Sequence, residues 1–106
     1  MTDLYGFSAN LTDLISYQEG SVVSKELIGK EKGSLTLFAF SQGQGLSEHT
    51  APFDAFVYIL EGKAEITISK EVKTVNYKEG IIMPANKPHS VKAVEPFKML
   101  LVMIRA

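Results

Sequence analysis

With 106 residues, eleven basic and twelve acidic, the chain is long enough for one hydrophobic core and has a formal net charge of −1. The charges are scattered and form no basic patch, so the sequence predicts no nucleic-acid partner. There is no cysteine, which excludes disulfides and thiolate zinc sites and leaves histidine, carboxylate and amide groups as metal ligands.

The N-terminal stretch and the apolar runs predict where the protein resides. Acidic residues stand where a signal peptide would carry basic ones, and no apolar run follows them. The longest apolar runs, residues 55–60 and 99–104, fall far short of the roughly 20 residues that a membrane-spanning helix needs. We therefore expect a soluble cytoplasmic protein with no membrane partner.

The only helical pattern lies near the N-terminus. Asn10 can cap a helix, and Leu11, Leu14 and Ile15 share one face at helical spacing. One or two turns are predicted, within an N-terminal arm that spans residues 1–20 and precedes a β-barrel domain at residues 21–106.

After Gly20 the chain consists of short stretches rich in Val, Ile, Thr, Phe and Tyr, separated by Gly, Pro and charged turns. Tight turns are expected at residues 30–33 and at Glu61-Gly62, where glycine tolerates a positive φ. The pattern predicts an all-β domain with strands near residues 21–28, 34–41, 46–50, 53–61, 63–69, 73–77, 81–83, 89–93 and 97–104.

Two of these strands, residues 55–60 and 99–104, have a different hydrophobic pattern from the rest. Residues 65–69 alternate between apolar and polar side chains, as in a strand with one buried face, whereas residues 55–60 and 99–104 are apolar on both faces. In so small a domain, the second cover is expected from another subunit, so a homodimer is predicted. Nine short antiparallel strands fit a jelly roll or small barrel with an internal cavity.

Residues 43–62, GQGLSEHTAPFDAFVYILEG, resemble the first motif of the cupin superfamily. That motif runs Gly, five residues, His-x-His, three or four residues, Glu, six residues, Gly. Both glycines and His49 are in register, while Ala51 stands at the second histidine position and Ala55 at the glutamate position.

Residues 79–93, EGIIMPANKPHSVKA, resemble the second cupin motif, Gly, five residues, Pro-x-Gly, two residues, His, three residues, Asn. Pro84 and His89 match. Asn86 replaces the motif's internal glycine, which Asn can do because it adopts left-handed backbone conformations more readily than most residues. Lys78 and Ala93 replace the opening glycine and the closing asparagine.

The resemblance implies a cupin-type (RmlC-like) jelly roll. In metal-binding cupins the three histidines and the glutamate hold a divalent ion, commonly for dioxygenase, isomerase or decarboxylase chemistry. Only His49 and His89 remain here, and catalytic sites typically keep three protein ligands. No cofactor is therefore assigned; a weakly held Zn²⁺, Ni²⁺, Mn²⁺ or Fe²⁺ stays open, with Asp54 or Gln44 as substitute ligands.

Three functions follow as alternatives. The first is binding of a small polar or anionic molecule in the barrel near His49 and His89, with Tyr58, Gln44 and Phe38 as further lining residues. The second is a metal-dependent enzyme that uses the two histidines, and the third is a metal-free enzyme such as an isomerase. In the simplest interpretation, the histidines only hydrogen-bond within the cavity and the aromatic residues pack the core. No catalytic residue is assigned.

Overall fold

The computed structural model describes residues 4–105, which form nine β-strands and one short 3-10 helix at Leu11–Leu14. Every predicted strand is present, and its ends lie within two residues of the expected ones. The strands are β1 (Val22–Lys30), β2 (Gly33–Phe40), β3 (Gly45–His49), β4 (Phe53–Glu61), β5 (Ala64–Ile68), β6 (Glu71–Val75), β7 (Gly80–Met83), β8 (His89–Lys92) and β9 (Phe97–Arg105).

The strands form two antiparallel sheets. One has five strands in the order β1-β2-β9-β4-β7, and the other has four in the order β3-β8-β5-β6. Chain neighbours such as β3 and β4 lie in different sheets, as the two sheets of a jelly roll require. The predicted cupin-type jelly roll is confirmed.

The hydrophobic core lies between the sheets. Along β4, Ala55, Val57 and Ile59 point inward and are almost fully buried. Phe40 and Phe97 stack between the sheets, with ring centroids 4.5 Å apart. Bulky side chains thus fill much of the interior, because a barrel of this size has room for packed side chains and little else.

An N-terminal arm, residues 4–20, covers part of the outer face of the five-stranded sheet. The side chain of Asn10 accepts a hydrogen bond from Thr12 N, so the predicted cap is present at the start of the 3-10 helix. Ile15, 4% exposed, packs in a second cluster with Leu37 and Ala39 of β2. The arm therefore supplies, from the same chain, some of the cover that the doubly apolar strands need.

Two polar contacts fix this arm. Lys98 Nζ donates to the backbone oxygen of Thr12 at 2.7 Å, and the Tyr17 hydroxyl donates to Glu61 at 2.5 Å. Burial, and the hydrogen bond to Glu61, raise the pKa of Tyr17, so its hydroxyl keeps the proton that it donates.

The part of the outer face beside the arm carries a row of apolar side chains, one from each strand of the sheet. The residues are matched in register across four strand pairs. Phe56 and Ile82 are 39% and 60% exposed. This apolar row consists of Ile28, Leu35, Val102, Phe56 and Ile82.

Three of the turn positions with a left-handed backbone bear on the sequence motifs and the predicted turns. Gly62 has a φ of +74°, as the predicted tight turn requires, and a Cβ there would lie 2.4 Å from the Pro96 carbonyl oxygen. Asn86 has a φ of 64° and Lys78 a φ of 70°. Both replacements of motif glycines therefore keep the glycine-like backbone.

None of the helical structure within residues 4–105 is long and apolar enough to cross a membrane.

Candidate functional site

His49 and His89 meet at one end of the barrel. His49 is the last residue of β3, His89 is the first of β8, and the two are direct cross-strand partners. Their Nε2 atoms lie 3.2 Å apart, and the rings meet edge to face with centroids 4.4 Å apart. The sequence motifs, forty residues apart, thus converge on one histidine pair.

The opposite nitrogen of each ring faces a backbone carbonyl. His49 Nδ1 lies 2.7 Å from the Ser47 oxygen, and His89 Nδ1 lies 3.1 Å from the Lys87 oxygen. Because a carbonyl oxygen can only accept, each Nδ1 carries a proton. In the neutral ring this tautomer leaves Nε2 with a lone pair.

Two lone pairs facing each other at 3.2 Å repel unless something positive lies between or beside them. A proton on one Nε2 gives an N–H···N hydrogen bond and makes that ring a cation. A metal ion satisfies both lone pairs in the same way. Either a proton or a metal ion would thus bring positive charge to the histidine pair.

The two rings differ in exposure. His89 is 5% exposed, whereas His49 is exposed. Burial, followed by the nearby His49, lowers the pKa of His89, and the Lys87 carbonyl opposes part of this effect. Burial therefore favours the neutral form of His89, and the exposed His49 is the ring that solvent and ligands reach first.

The other two motif positions contribute no ligand. Ala55 is inward and 4% exposed, between Met83 and Met103 on the neighbouring strands. Ala51 lies beyond the end of β3, and its carbonyl accepts a hydrogen bond from Asn86 N at 2.8 Å. Among residues 4–105, no three histidine, cysteine or acidic side chains are grouped so as to hold a metal ion.

Asp54, considered above as a substitute ligand, points away from the barrel interior. Its Oδ1 accepts a hydrogen bond from the backbone N–H of Ala85 at 2.9 Å. The alternation along β4 explains this, because Asp54 shares the outer face with its cross-strand partner Ile104. The carboxylate therefore holds a loop instead of facing the histidines.

The three further lining residues predicted from the sequence lie in three different places. Tyr58 points to the outer face of β4 and lines a groove with Leu11, Thr12, Leu60 and Tyr77. Gln44 lines a shallow groove along β3 and β8. Phe38 packs against the core and beside Phe40. Strand alternation places Tyr58 on the outer face, whereas Phe38 lies on the inward face of β2 and is partly buried against the core.

Sequence reasoning missed the two carbonyls that orient the rings. Each belongs to the residue two positions before its histidine, Ser47 for His49 and Lys87 for His89. Backbone acceptors have no residue-type signature, so only the repeated spacing hints at them, and it does so only once the strand ends are known.

Comparisons with known proteins agree with this fold. The family model described as the cupin domain matches residues 36–104. The crystal structure of a conserved Streptococcus pyogenes protein of unknown function superposes with a TM-score of 0.93 at 34% identity, covering 100% of this chain and 96% of that one. A cupin 2 conserved barrel domain protein from Leptotrichia buccalis gives a TM-score of 0.89 at 38% identity, covering 92% of this chain and 47% of the other.

Among curated proteins, the polyketide synthase CurC of Streptomyces cyaneus is 28% identical over 68 residues. The match covers 63% of this chain but only 44% of that relative's length. The family match spans the strands that carry both motifs and both histidines, and the chain belongs to the cupin-domain family.

Proposed function

We propose that this cupin domain binds a small polar or anionic molecule at the His49–His89 pair. The observation that carries the proposal is the arrangement of the ring nitrogens: both Nδ1 protons are committed to carbonyls, and both Nε2 atoms face each other at 3.2 Å. A proton or a metal ion shared by the two Nε2 atoms would bring positive charge to this end of the barrel.

Protein carboxylates do not balance that charge. The family's glutamate position is Ala55, and the adjacent Asp54 is bonded to Ala85 N on the outer side. An anion that reaches a positively charged pair would be stabilised by it. Small carboxylates are the simplest ligands of this kind.

A divalent metal at the same pair is the second candidate, and the geometry of the rings favours it. Metal-bound histidines usually donate their other N–H to a carbonyl or carboxylate, as both rings do here. Two nitrogens bound tetrahedrally to Zn²⁺ at ~2.05 Å lie about 3.3 Å apart, close to the distance between these Nε2 atoms.

The donor set fits a metal only in part. His49 and His89 would hold the ion, and water or the ligand itself would complete its coordination. A bound metal would supply a Lewis acid that polarises an oxygen of the ligand. The second candidate function is therefore a metal-dependent enzyme of the dioxygenase, isomerase or decarboxylase type that uses the same two histidines.

The test uses oxalate as the probe and thermal unfolding as the readout, because a ligand that binds only the native state raises the melting temperature. Wild type, His49→Ala and His89→Ala are compared with and without EDTA. Ser90→Ala is the matched control, since Ser90 lies next to His89 in β8 but on the opposite face of the strand.

Oxalate should stabilise wild type and Ser90→Ala and should not stabilise either histidine variant. Stabilisation that survives EDTA identifies a proton-charged pair, whereas stabilisation that EDTA abolishes and Ni²⁺ restores identifies the metal. Equal stabilisation of all four proteins, or of none, would overturn the proposal.

We also propose that the protein is a homodimer. The support is the apolar row, which presents one apolar side chain from every strand and leaves Phe56 and Ile82 exposed. An apolar row can pack against a copy of itself, since a two-fold interface uses the same patch on both partners. Stable interfaces bury about 800 Å² per partner, so residues around the row must contribute to the interface as well.

A further inference from the structure

The connection between β7 and β8, residues 84–88, carries the carbonyl that orients His89. Lys87 supplies that carbonyl, and Pro88 directly precedes the histidine. The position of this loop therefore decides whether His89 Nδ1 has an acceptor, and with it which nitrogen carries the proton.

Three hydrogen bonds attach this loop to its surroundings. Asn86 N donates to the Ala51 oxygen at 2.8 Å, and the Pro88 oxygen accepts from Ser69 N at 2.9 Å. The third bond runs from Ala85 N to Asp54 Oδ1 at 2.9 Å and is the one made by a side chain. Because the first two involve only backbone atoms, the Asp54 bond is the one that a substitution can remove directly.

The Asp54 bond also links the two histidine segments. Asp54 lies near the start of β4, five residues after His49, and Ala85 lies four residues before His89. Together with the Ala51–Asn86 bond, it ties the chain that follows His49 to the chain that precedes His89. A carboxylate acceptor makes this a charge-assisted bond, stronger than a neutral one.

We propose that Asp54 is a positioning residue for His89. Its carboxylate fixes the 84–88 loop, so that the Lys87 carbonyl holds the Nδ1 proton and the Nε2 lone pair of His89 stays aimed at His49. The role of the histidine pair itself rests on the proposed function, whereas the effect of Asp54 on the His89 ring does not.

Four variants separate positioning from general stability. Asp54→Ala removes the acceptor. Asp54→Val also removes the acceptor. Its β-branched side chain suits a strand and packs beside Ile104, so this variant can be tested if the alanine variant folds poorly. Asp54→Asn keeps an oxygen that can accept the Ala85 N–H.

Glu79→Ala is the matched control. Glu79 makes the same kind of bond: its Oε1 accepts from the backbone N–H of Asn76 at 2.8 Å, in the turn before β7. It lies at the other end of β7 from the 84–88 loop. Its loss should cost comparable stability without reaching the histidines.

The readout is the ¹⁵N spectrum of the imidazole rings, with correlations from each nitrogen to the ring carbon-bound protons, in protein without added ligand. Since the chain has two histidines, the spectrum of His49→Ala assigns both rings. A ring with its proton fixed on Nδ1 gives two widely separated nitrogen signals, and a ring that exchanges tautomers gives signals that move together.

Wild type, Asp54→Asn and Glu79→Ala should show His89 fixed as the Nδ1–H tautomer. Asp54→Ala and Asp54→Val should show the two His89 nitrogen signals drawn together, with a smaller effect on His49. A His89 spectrum in both variants identical to wild type would refute the proposal, and so would an equal change in Glu79→Ala. If oxalate fails to bind wild type, the proposed function fails while this comparison still stands.

Discussion

Restoring the missing carboxylate with Ala55→Glu tests directly why this chain departs from metal-binding cupins. Ala55 points into the barrel and is 4% exposed, so a glutamate there must be buried. Met83 and Met103 flank it on the neighbouring strands, and their flexible side chains can yield to the larger residue.

The stability cost of the substitution follows from that burial. Burying a polar group without a hydrogen-bond partner costs about 1–3 kcal/mol in protein mutational data. For a domain of this size, each kcal/mol lowers the melting temperature by about 4–8 °C. Metal-free Ala55→Glu should therefore melt about 10 °C below wild type.

Metal should recover most of that loss. An ion held by His49, His89 and the new carboxylate, at a concentration a hundred times its dissociation constant, stabilises the native state by about 2.7 kcal/mol. We expect Ala55→Glu to bind Ni²⁺ at least about tenfold more tightly than wild type, a difference of about 1.4 kcal/mol.

The assay is titration calorimetry with Ni²⁺, paired with scanning calorimetry at matched metal concentrations. Ala55→Gln is the control, because it has the same size and a comparable burial cost but no charge. Adding Ala51→His should help less than Ala55→Glu, since Ala51 lies beyond the end of β3 and strand geometry does not aim its side chain at His49. Equal Ni²⁺ affinity in the glutamate and glutamine variants, or sub-micromolar binding by wild type, would refute the reasoning.

Three further predictions concern pH, turn strain and assembly. Folding lowers the pKa of His89 from 6.5, so the unfolded chain takes up a proton at higher pH than the native protein does. The free energy of unfolding, measured by urea denaturation, should therefore fall as the pH drops below 6.5. His89→Gln should reduce this dependence on pH. Lys78→Gly should stabilise the native state by about 0.5–1 kcal/mol. The left-handed backbone costs a non-glycine residue about 1–2 kcal/mol, and the greater entropy of glycine in the unfolded chain offsets part of the gain from removing that cost. Lys73→Gly, in the middle of β6, should destabilise the protein in the same assay. By light scattering, wild type should be a dimer and Phe56→Lys a monomer. Val72→Lys should remain a dimer, because Val72 is also exposed, at 60% against 39% for Phe56, but lies on the other sheet. A monomeric wild type would contradict the assembly.

The fold could be predicted closely from the sequence, because its signals are local. Alternating and doubly apolar stretches marked the strands, and Gly62 marked a turn that needs a positive φ. Asn86 was expected in a left-handed turn and is found in one, and Lys78 shows that the motif's backbone geometry persists even where a lysine replaces the glycine.

The site was less predictable, because its details depend on which face of a strand a side chain occupies and on backbone partners. The motif spacing brought His49 and His89 together, but Tyr58 was chosen by residue type and lies on the outer face. The cover on the outer face came partly from the arm through Ile15, since one short helical turn is enough to bury a few strand positions.

The most direct test of the central claim is an imidazole ¹⁵N titration of wild type with oxalate near neutral pH. If the histidine pair is the binding site, the Nε2 signals of His49 and His89 should shift together and saturate at one oxalate per chain, while both Nδ1 signals stay those of protonated nitrogens. Ring signals that do not move at oxalate concentrations that raise the melting temperature would place the ligand elsewhere and contradict the account.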